Sequence, residues 1–250
     1  MKRIIAILTV LALIFSFAGC SSGTKNESSE KATAANSETA SANEATAENK
    51  TSNPTATSTG KNSVVVYFSR TGEQYGVGVI EKGNTAIVAD MIVEQTGADS
   101  FEILPKNDNY PMTYKELTDV AKEEQNQNAR PEIKDTLQNF DQYDTIYLGY
   151  PIWWGDLPMI CYTFLESYDF SGKTIIPFCT HAGSGNAGTQ SKIQSAAPNA
   201  TVKEVLAIAG TDTQNDPDSV KTAVTERNRM SRDWNRNLYA QALGRSKQRA

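Results

Sequence analysis

From Ser63 onward the chain alternates short β-branched runs with stretches of helical spacing, and this alternation limits the possible folds of the 250-residue sequence more than any other feature. Apolar runs stand at 64–68, 100–104, 145–149, 174–178 and 201–208. Between the first two, Ile87, Val88, Met91 and Ile92 mark a helix over 85–95, and further helices are predicted at about 112–127, 156–167, 185–196 and from 218 onward. Five near-continuous apolar strands separated by helices predict an α/β fold, a doubly wound five-stranded parallel sheet with helices on both faces. Ligands of such sheets bind at the carboxyl ends of the strands, near the point where the strand order reverses. Function is therefore to be sought in the loops after the first, third and fourth strands.

The segment before this domain has a different character. Lys2 and Arg3 precede an apolar run from Ile4 to Phe17, broken only by Thr9 and Ser16, and Ala18, Gly19 and Cys20 follow. That run is shorter than the roughly 20 apolar residues of a membrane span, and small residues close it, so residues 1–19 read as a secretory signal peptide. Residues 21–60 contain no Val, Ile, Leu, Met or aromatic side chain. Nothing there offsets the entropy of ordering, which predicts a disordered stalk over 20–60 with a reach on the order of 35 Å. The folded domain is placed at 61–225. Residues 226–250 hold seven Lys or Arg against two acids, whereas 20–225 hold 15 against 27, so an acidic body ends in a basic tail.

A net charge of −5 argues against a nucleic-acid partner, which needs a basic stripe to neutralise phosphates. One histidine and three cysteines cannot supply a His-rich zinc site or a disulfide framework, and no metal is predicted. Cys161 and Cys179 read as small buried hydrophobes.

The loop after the first strand, Ser69-Arg70-Thr71-Gly72, continues through Glu73 to Lys82 and re-emerges as Gly83-Asn84-Thr85 at a helix start. Hydroxyls, glycines, an amide and Arg70 beside a helix N-terminus form a donor set for a phosphate. The alternative is that Asn84 or Thr85 only caps the helix. The third-strand loop runs from Tyr150 to Pro158 and contains Trp153 and Trp154. Two adjacent tryptophans cannot both enter one core, so at least one lies on a surface or against a flat ligand ring; a partner interface or a cover over the core would use the same residues. The fourth-strand loop, Cys179 to Gly188, holds the sole histidine, His181, and a formal G-x-G-x-x-G. Because it follows the fourth strand, its glycines read as letting the backbone approach a ligand, not as a dinucleotide turn. Gly172-Lys173-Thr174 lacks the first glycine of a P-loop, and Ser184 lacks the second glycine of a nucleophile elbow, since position 186 is Asn186. No catalytic residue is assigned, and His181 is read as a hydrogen-bonding group in preference to a proton donor.

Two resemblances add to this reading. Phe17-Ala18-Gly19-Cys20 resembles the lipobox of bacterial lipoproteins, which implies lipid on Cys20 and an extracytoplasmic protein anchored to a bacterial membrane. Tyr67 to Arg70, Gly83 to Thr85, Gly149 to Gly155 and Phe178 to Gly185 resemble, in order and at the expected strand ends, the motifs of the flavodoxin-like family. That resemblance implies strand order 2-1-3-4-5 and an FMN cofactor. By it, Ser69, Arg70, Asn84 and Thr85 would hold the phosphate. Pro151, Ile152, Trp153, Trp154 and Gly155 would flank the isoalloxazine ring, and Thr180, His181, Ala182, Gly183, Ser184 and Gly185 would cover its other edge. The insertion from Glu73 to Lys82 leaves open which of Thr71 and Thr85 reaches the phosphate. The function implied is extracytoplasmic electron transfer with an unidentified redox partner. An FMN-dependent NAD(P)H:quinone-type oxidoreductase and a non-redox surface binding module are the alternatives. Asp156 and the acidic body would disfavour an anionic reduced flavin and so imply a low potential. The basic tail either meets lipid, is poorly ordered, or departs from the family's usual closing helix.

Overall fold

The computed structural model describes residues 62–247. The predicted signal peptide at 1–19, Cys20 and the stalk to residue 60 lie outside the described residues.

In β1 (Ser63–Tyr67) Val64 and Val66 join one apolar layer, while Val65 and Tyr67 join the other. This is the two-residue alternation of a strand buried on both faces. After β1 the chain forms a feature the hydrophobic pattern does not predict: β2 (Gly72–Gln74) and β3 (Gly78–Ile80) pair as an antiparallel hairpin inside the insertion. Then come α1 (Asn84–Thr96), stopped by Gly97 in a left-handed conformation, and β4 (Asp99–Glu102), parallel to β1. Next are α2 (Tyr114–Asn126), β5 (Thr145–Pro151), α3 (Met159–Ser167), β6 (Thr174–His181) and α4 (Thr189–Ala196). The chain ends with β7 (Thr201–Val202), β8 (Leu206–Ala209), α5 (Gly210–Asn215) and α6 (Pro217–Lys247).

The sheet runs β4-β1-β5-β6, and its fifth position is shared by β7 and β8, both parallel to β6. Counted by position, this is the predicted order 2-1-3-4-5. Leu117 of α2, Ile160 and Phe164 of α3 and Ile193 of α4 cover one face. Val88 and Ile92 of α1 with Val220 and Val224 of α6 cover the other.

Two elements differ from the sequence expectation. The run predicted at 201–208 is broken, because the chain advances from Val202 to Leu206 while β6 advances only from Ile175 to Phe178. One extra residue is accommodated there as a bulge, and Pro177, with no N–H to donate, lies in the unpaired interval. The basic tail shows no break at 225: α6 continues through it to Lys247, and Arg229 pairs with Glu226 at 2.5 Å and Asp233 at 3.4 Å along the helix.

The helix layer of α2 to α4 is anchored by Phe164, which is fully buried with ring centroids of Tyr168, Phe170 and Phe140 at 5.0, 5.9 and 6.3 Å. Phe164→Ala is expected to destabilise the domain by about 3–5 kcal/mol, read as a lowered urea midpoint with an unchanged slope.

Candidate functional site

β5 and β6 reach further than β1, with Pro151 opposite Thr180 in the last rung between them. Beyond the end of β1 they leave a cavity of about 210 Å³. It lies at the carboxyl ends of the strands, where the chain order turns from β4 on one side of β1 to β5 on the other. Gln74 and Tyr75 of the hairpin, Asn84 of α1, Tyr114, Leu117, Thr118 and Ala121 of α2, Pro151 to Trp154, Thr180 to Ala182 and Gly210 contribute to its wall. Among the lining residues there is no carboxylate, ammonium, guanidinium or thiol.

At one end stands the N-terminus of α1. Ser69 Oγ, from the end of β1, accepts the Ala86 N–H at 3.0 Å and so caps the helix from outside it. The Asn84 and Thr85 amides of the same first turn have no intrahelical partner by the geometry of a helix start. Gly83 is required by close approach: a Cβ there would lie 2.1 Å from Ser69 Oγ and 2.5 Å from the Arg70 carbonyl oxygen. Asn84 is buried, and its Oδ1 accepts from Gln214 Nε2 at 2.8 Å, which ties α1 to α5. The Thr85 and Thr180 hydroxyls are hydrogen-bonded at 2.8 Å, joining α1 to β6.

Arg70 is not on the wall. Its Nη1 holds both carboxylate oxygens of Asp108 at 2.8 and 2.7 Å, Nη2 donates to the Tyr110 carbonyl at 3.1 Å, and the guanidinium sits 5.2 Å above the Tyr110 ring. The side chain expected to meet phosphate is instead engaged with the loop before α2, because a partly buried cation is stabilised by a carboxylate within reach.

The two tryptophans take different places. Trp153 packs edge-on to Phe68 and Tyr110, with centroids at 5.4 and 5.5 Å. Trp154 is 54% exposed, in a left-handed conformation with φ of 50°. Its Nε1 donates to the Thr118 carbonyl at 2.8 Å, and Lys122 Nζ lies 5.2 Å from its ring. The turn is closed by Trp153 N–H to the Asp156 carbonyl at 2.9 Å and its reciprocal at 3.0 Å. Lys192 of α4 donates to the Gly155 carbonyl at 2.8 Å and pairs with Asp156 at 3.0 Å. Asp156 also accepts from the Leu157 N–H and the Tyr162 hydroxyl. Its charge is therefore compensated and off the cavity wall, which removes the ground for expecting this residue to lower a flavin potential.

His181 Nδ1 accepts the Gly183 N–H at 3.0 Å, which leaves the proton of the neutral ring on Nε2. Burial lowers its pKa, opposed by the charge of Asp212. Cys179 is buried beneath this loop, and burial pushes its thiol up to about 12, so it is no nucleophile at neutral pH. Cys161 and Cys179 are both free and buried.

Of the candidate residues, Asn84, Pro151, Ile152, Trp153, Trp154, Thr180, His181 and Ala182 meet at the cavity. Ser69, Thr85 and Gly155 support it through the hydrogen bonds above, while Gly183, Ser184 and Gly185 lie beyond its wall. Sequence reasoning missed Gln74, Tyr75, the α2 residues and Gly210; the one available signal was the Gln-Tyr-Gly step inside the insertion.

Sheet order, helix N-terminus and neutral aromatic wall together define a doubly wound α/β domain suited to a flat ring carrying a phosphate. The family model described as flavodoxin matches residues 63–224, and the chain belongs to the flavodoxin family, whose cofactor is FMN. Among solved structures, a putative flavoprotein from Bacteroides uniformis is 29% identical, covers 66% of this chain and 99% of its own, and superposes with a TM-score of 0.53. Another from Bacteroides eggerthii is 27% identical, with coverage of 64% and 97% and a TM-score of 0.50. No curated protein matches the chain. The residues present fit FMN: the α1 first turn, packed on Ser69 and Arg70 through Gly83, meets no carboxylate on the lining, and the wall combines aromatic and aliphatic surface with amide, hydroxyl and imidazole groups.

Because the folded pKa of His181 lies below its ordinary 6.5, its contribution to stability is complete above that pH and is lost as pH falls through the lowered value. The thermal midpoint of the wild type is expected to fall more steeply than that of His181→Asn between about pH 6.5 and 5.

Proposed function

We propose that this domain uses FMN for electron transfer outside the cytoplasm, held to a membrane by lipid on Cys20. The observation that carries the redox reading is the wall itself. It offers hydrogen bonds and aromatic surface, and His181, hydrogen-bonded and kept neutral by burial, is the one lining side chain whose ordinary pKa falls near neutral pH. Such a site is suited to orienting a redox group, and apart from His181 it carries no side chain that would act as an acid, base or nucleophile near neutral pH. FMN, when bound, supplies the capacity to accept and donate one or two electrons.

The chain's residues have distinct tasks in that reading. The amides of Asn84 and Thr85 meet the phosphate, with the helix dipole adding to the attraction. Pro151 to Trp154 set the position of the ring, held in turn by Thr118 and Lys192. Leu117 and Ala121 keep water from one side. His181 Nε2–H is a donor at the other. Trp154, exposed at the wall, marks where an electron partner would approach. The extracytoplasmic location is supported by the signal pattern over 1–19 and by Phe17 to Cys20; the stalk over 20–60 supports a tethered domain.

The test uses the full chain in detergent, incubated with FMN and desalted. Retained flavin absorption that bleaches with a chemical reductant and returns with an added acceptor is the expected result. A colourless protein overturns it and leaves Trp153 and Trp154 as a non-redox binding surface. Steady NAD(P)H oxidation with an added quinone and no other protein would establish the oxidoreductase reading in place of the carrier. Gly83→Ala is expected to weaken FMN binding by at least about tenfold, since its methyl has backbone and hydroxyl oxygens in its place. For location, Cys20→Ala should move the protein from the membrane fraction to the soluble fraction, and continued sedimentation with membranes would refute the lipid anchor.

A further inference from the structure

The hairpin of β2 and β3 interrupts the phosphate loop, and nothing in phosphate binding requires it. Its first strand is fastened to the start of α2. Glu73 N–H donates to the Met112 carbonyl at 2.8 Å, and the Glu73 carboxylate accepts the Tyr114 N–H at 2.8 Å. Gly72 is pressed against the same segment, where a Cβ would lie 2.7 Å from the Met112 carbonyl oxygen. Just before the hairpin, Arg70 grips Asp108 and the Tyr110 carbonyl. At the hairpin's turn, a Cβ on Gly76 would come within 3.6 Å of the Thr211 methyl in α5. The hairpin thus reaches from the α2 side to the α5 side, and Gln74 and Tyr75 join a wall that also holds Asn84 and Gly210.

Tyr75 is 64% exposed although it belongs to that wall, and its ring lies 5.7 Å from that of Tyr114, which lines the same cavity. Neither ring belongs to either core layer. An aromatic pair held at a cavity by prior fastening offers contact to an occupant at little further cost in ordering.

We infer that the β2–β3 hairpin is a retaining arm of the cofactor site and that Tyr75 contacts FMN and slows its release. This rests on the FMN reading above and goes beyond it by assigning a role to the insertion. A side-chain contact made with the bound ligand acts mainly on the dissociation rate.

The experiment loads the full chain with FMN, dilutes it, and follows release by the recovery of flavin fluorescence. Tyr75→Ala is expected to release FMN roughly 3- to 10-fold faster than the wild type. Tyr75→Phe should keep the wild-type rate. Val79→Ala, on the same hairpin but off the wall and 80% exposed, should leave the rate unchanged. Since Tyr75 is outside the core, thermal midpoints of the FMN-free proteins should coincide. Release from Tyr75→Ala at the wild-type rate overturns the inference. Equal acceleration by Tyr75→Ala and Val79→Ala overturns the assignment to Tyr75, because the hairpin would then act only through its own stability. A wild type that never retains flavin defeats the FMN reading itself, an outcome separate from either.

Discussion

The hydrogen bond from the Ala86 N–H to Ser69 Oγ spans the whole insertion, and the site depends on it. Residues that are adjacent in space here are separated in sequence by a hairpin. The end of β1 and the start of α1 have to be returned to each other for the helix N-terminus to face the cavity. Ser69 does this with one hydroxyl, and Gly83 permits it by having no side chain. The Thr85 to Thr180 and Asn84 to Gln214 bonds extend the same arrangement to β6 and α5. Burial of Val88 and Ile92 under the sheet then fixes the axis along which the first-turn amides point.

Charge around the cavity is organised by pairing. Arg70 is neutralised by Asp108 and Asp156 by Lys192, each beside the wall and not on it. The Arg70 Nε is buried without a partner, so that side chain relies on the Asp108 carboxylate and the Tyr110 carbonyl for its stability. The result is a neutral lining inside a protein whose net charge is −5. The overall acidity of the sequence is therefore a poor guide to the field inside the site.

The sheet was legible in the sequence because strands buried on both faces must be apolar throughout, as Val64 to Val66 and Ile146 to Leu148 are. The loops were legible because chemistry at a switch point needs unusual residues, and Trp153, Trp154 and His181 are unusual. The hairpin was not, since Gly-Glu-Gln and Gly-Val-Ile are too short to show alternation. Neither were the destinations of Arg70 and Asp156, whose partners lie 38 residues away in a loop and 36 residues away on a helix. That the tryptophans divide could be argued from their adjacency. Which of them turns inward depends on Phe68 and Tyr110, and those contacts exist only after folding.

A parallel sheet has two unlike edges, and in this protein the chain uses them for different purposes. The cavity opens at the carboxyl edge, whereas the segment preceding Ser63 enters at the opposite edge, at the beginning of β1. The aromatic mouth formed by Tyr75 and Trp154 thus stands at the far end of the strands from Ser63.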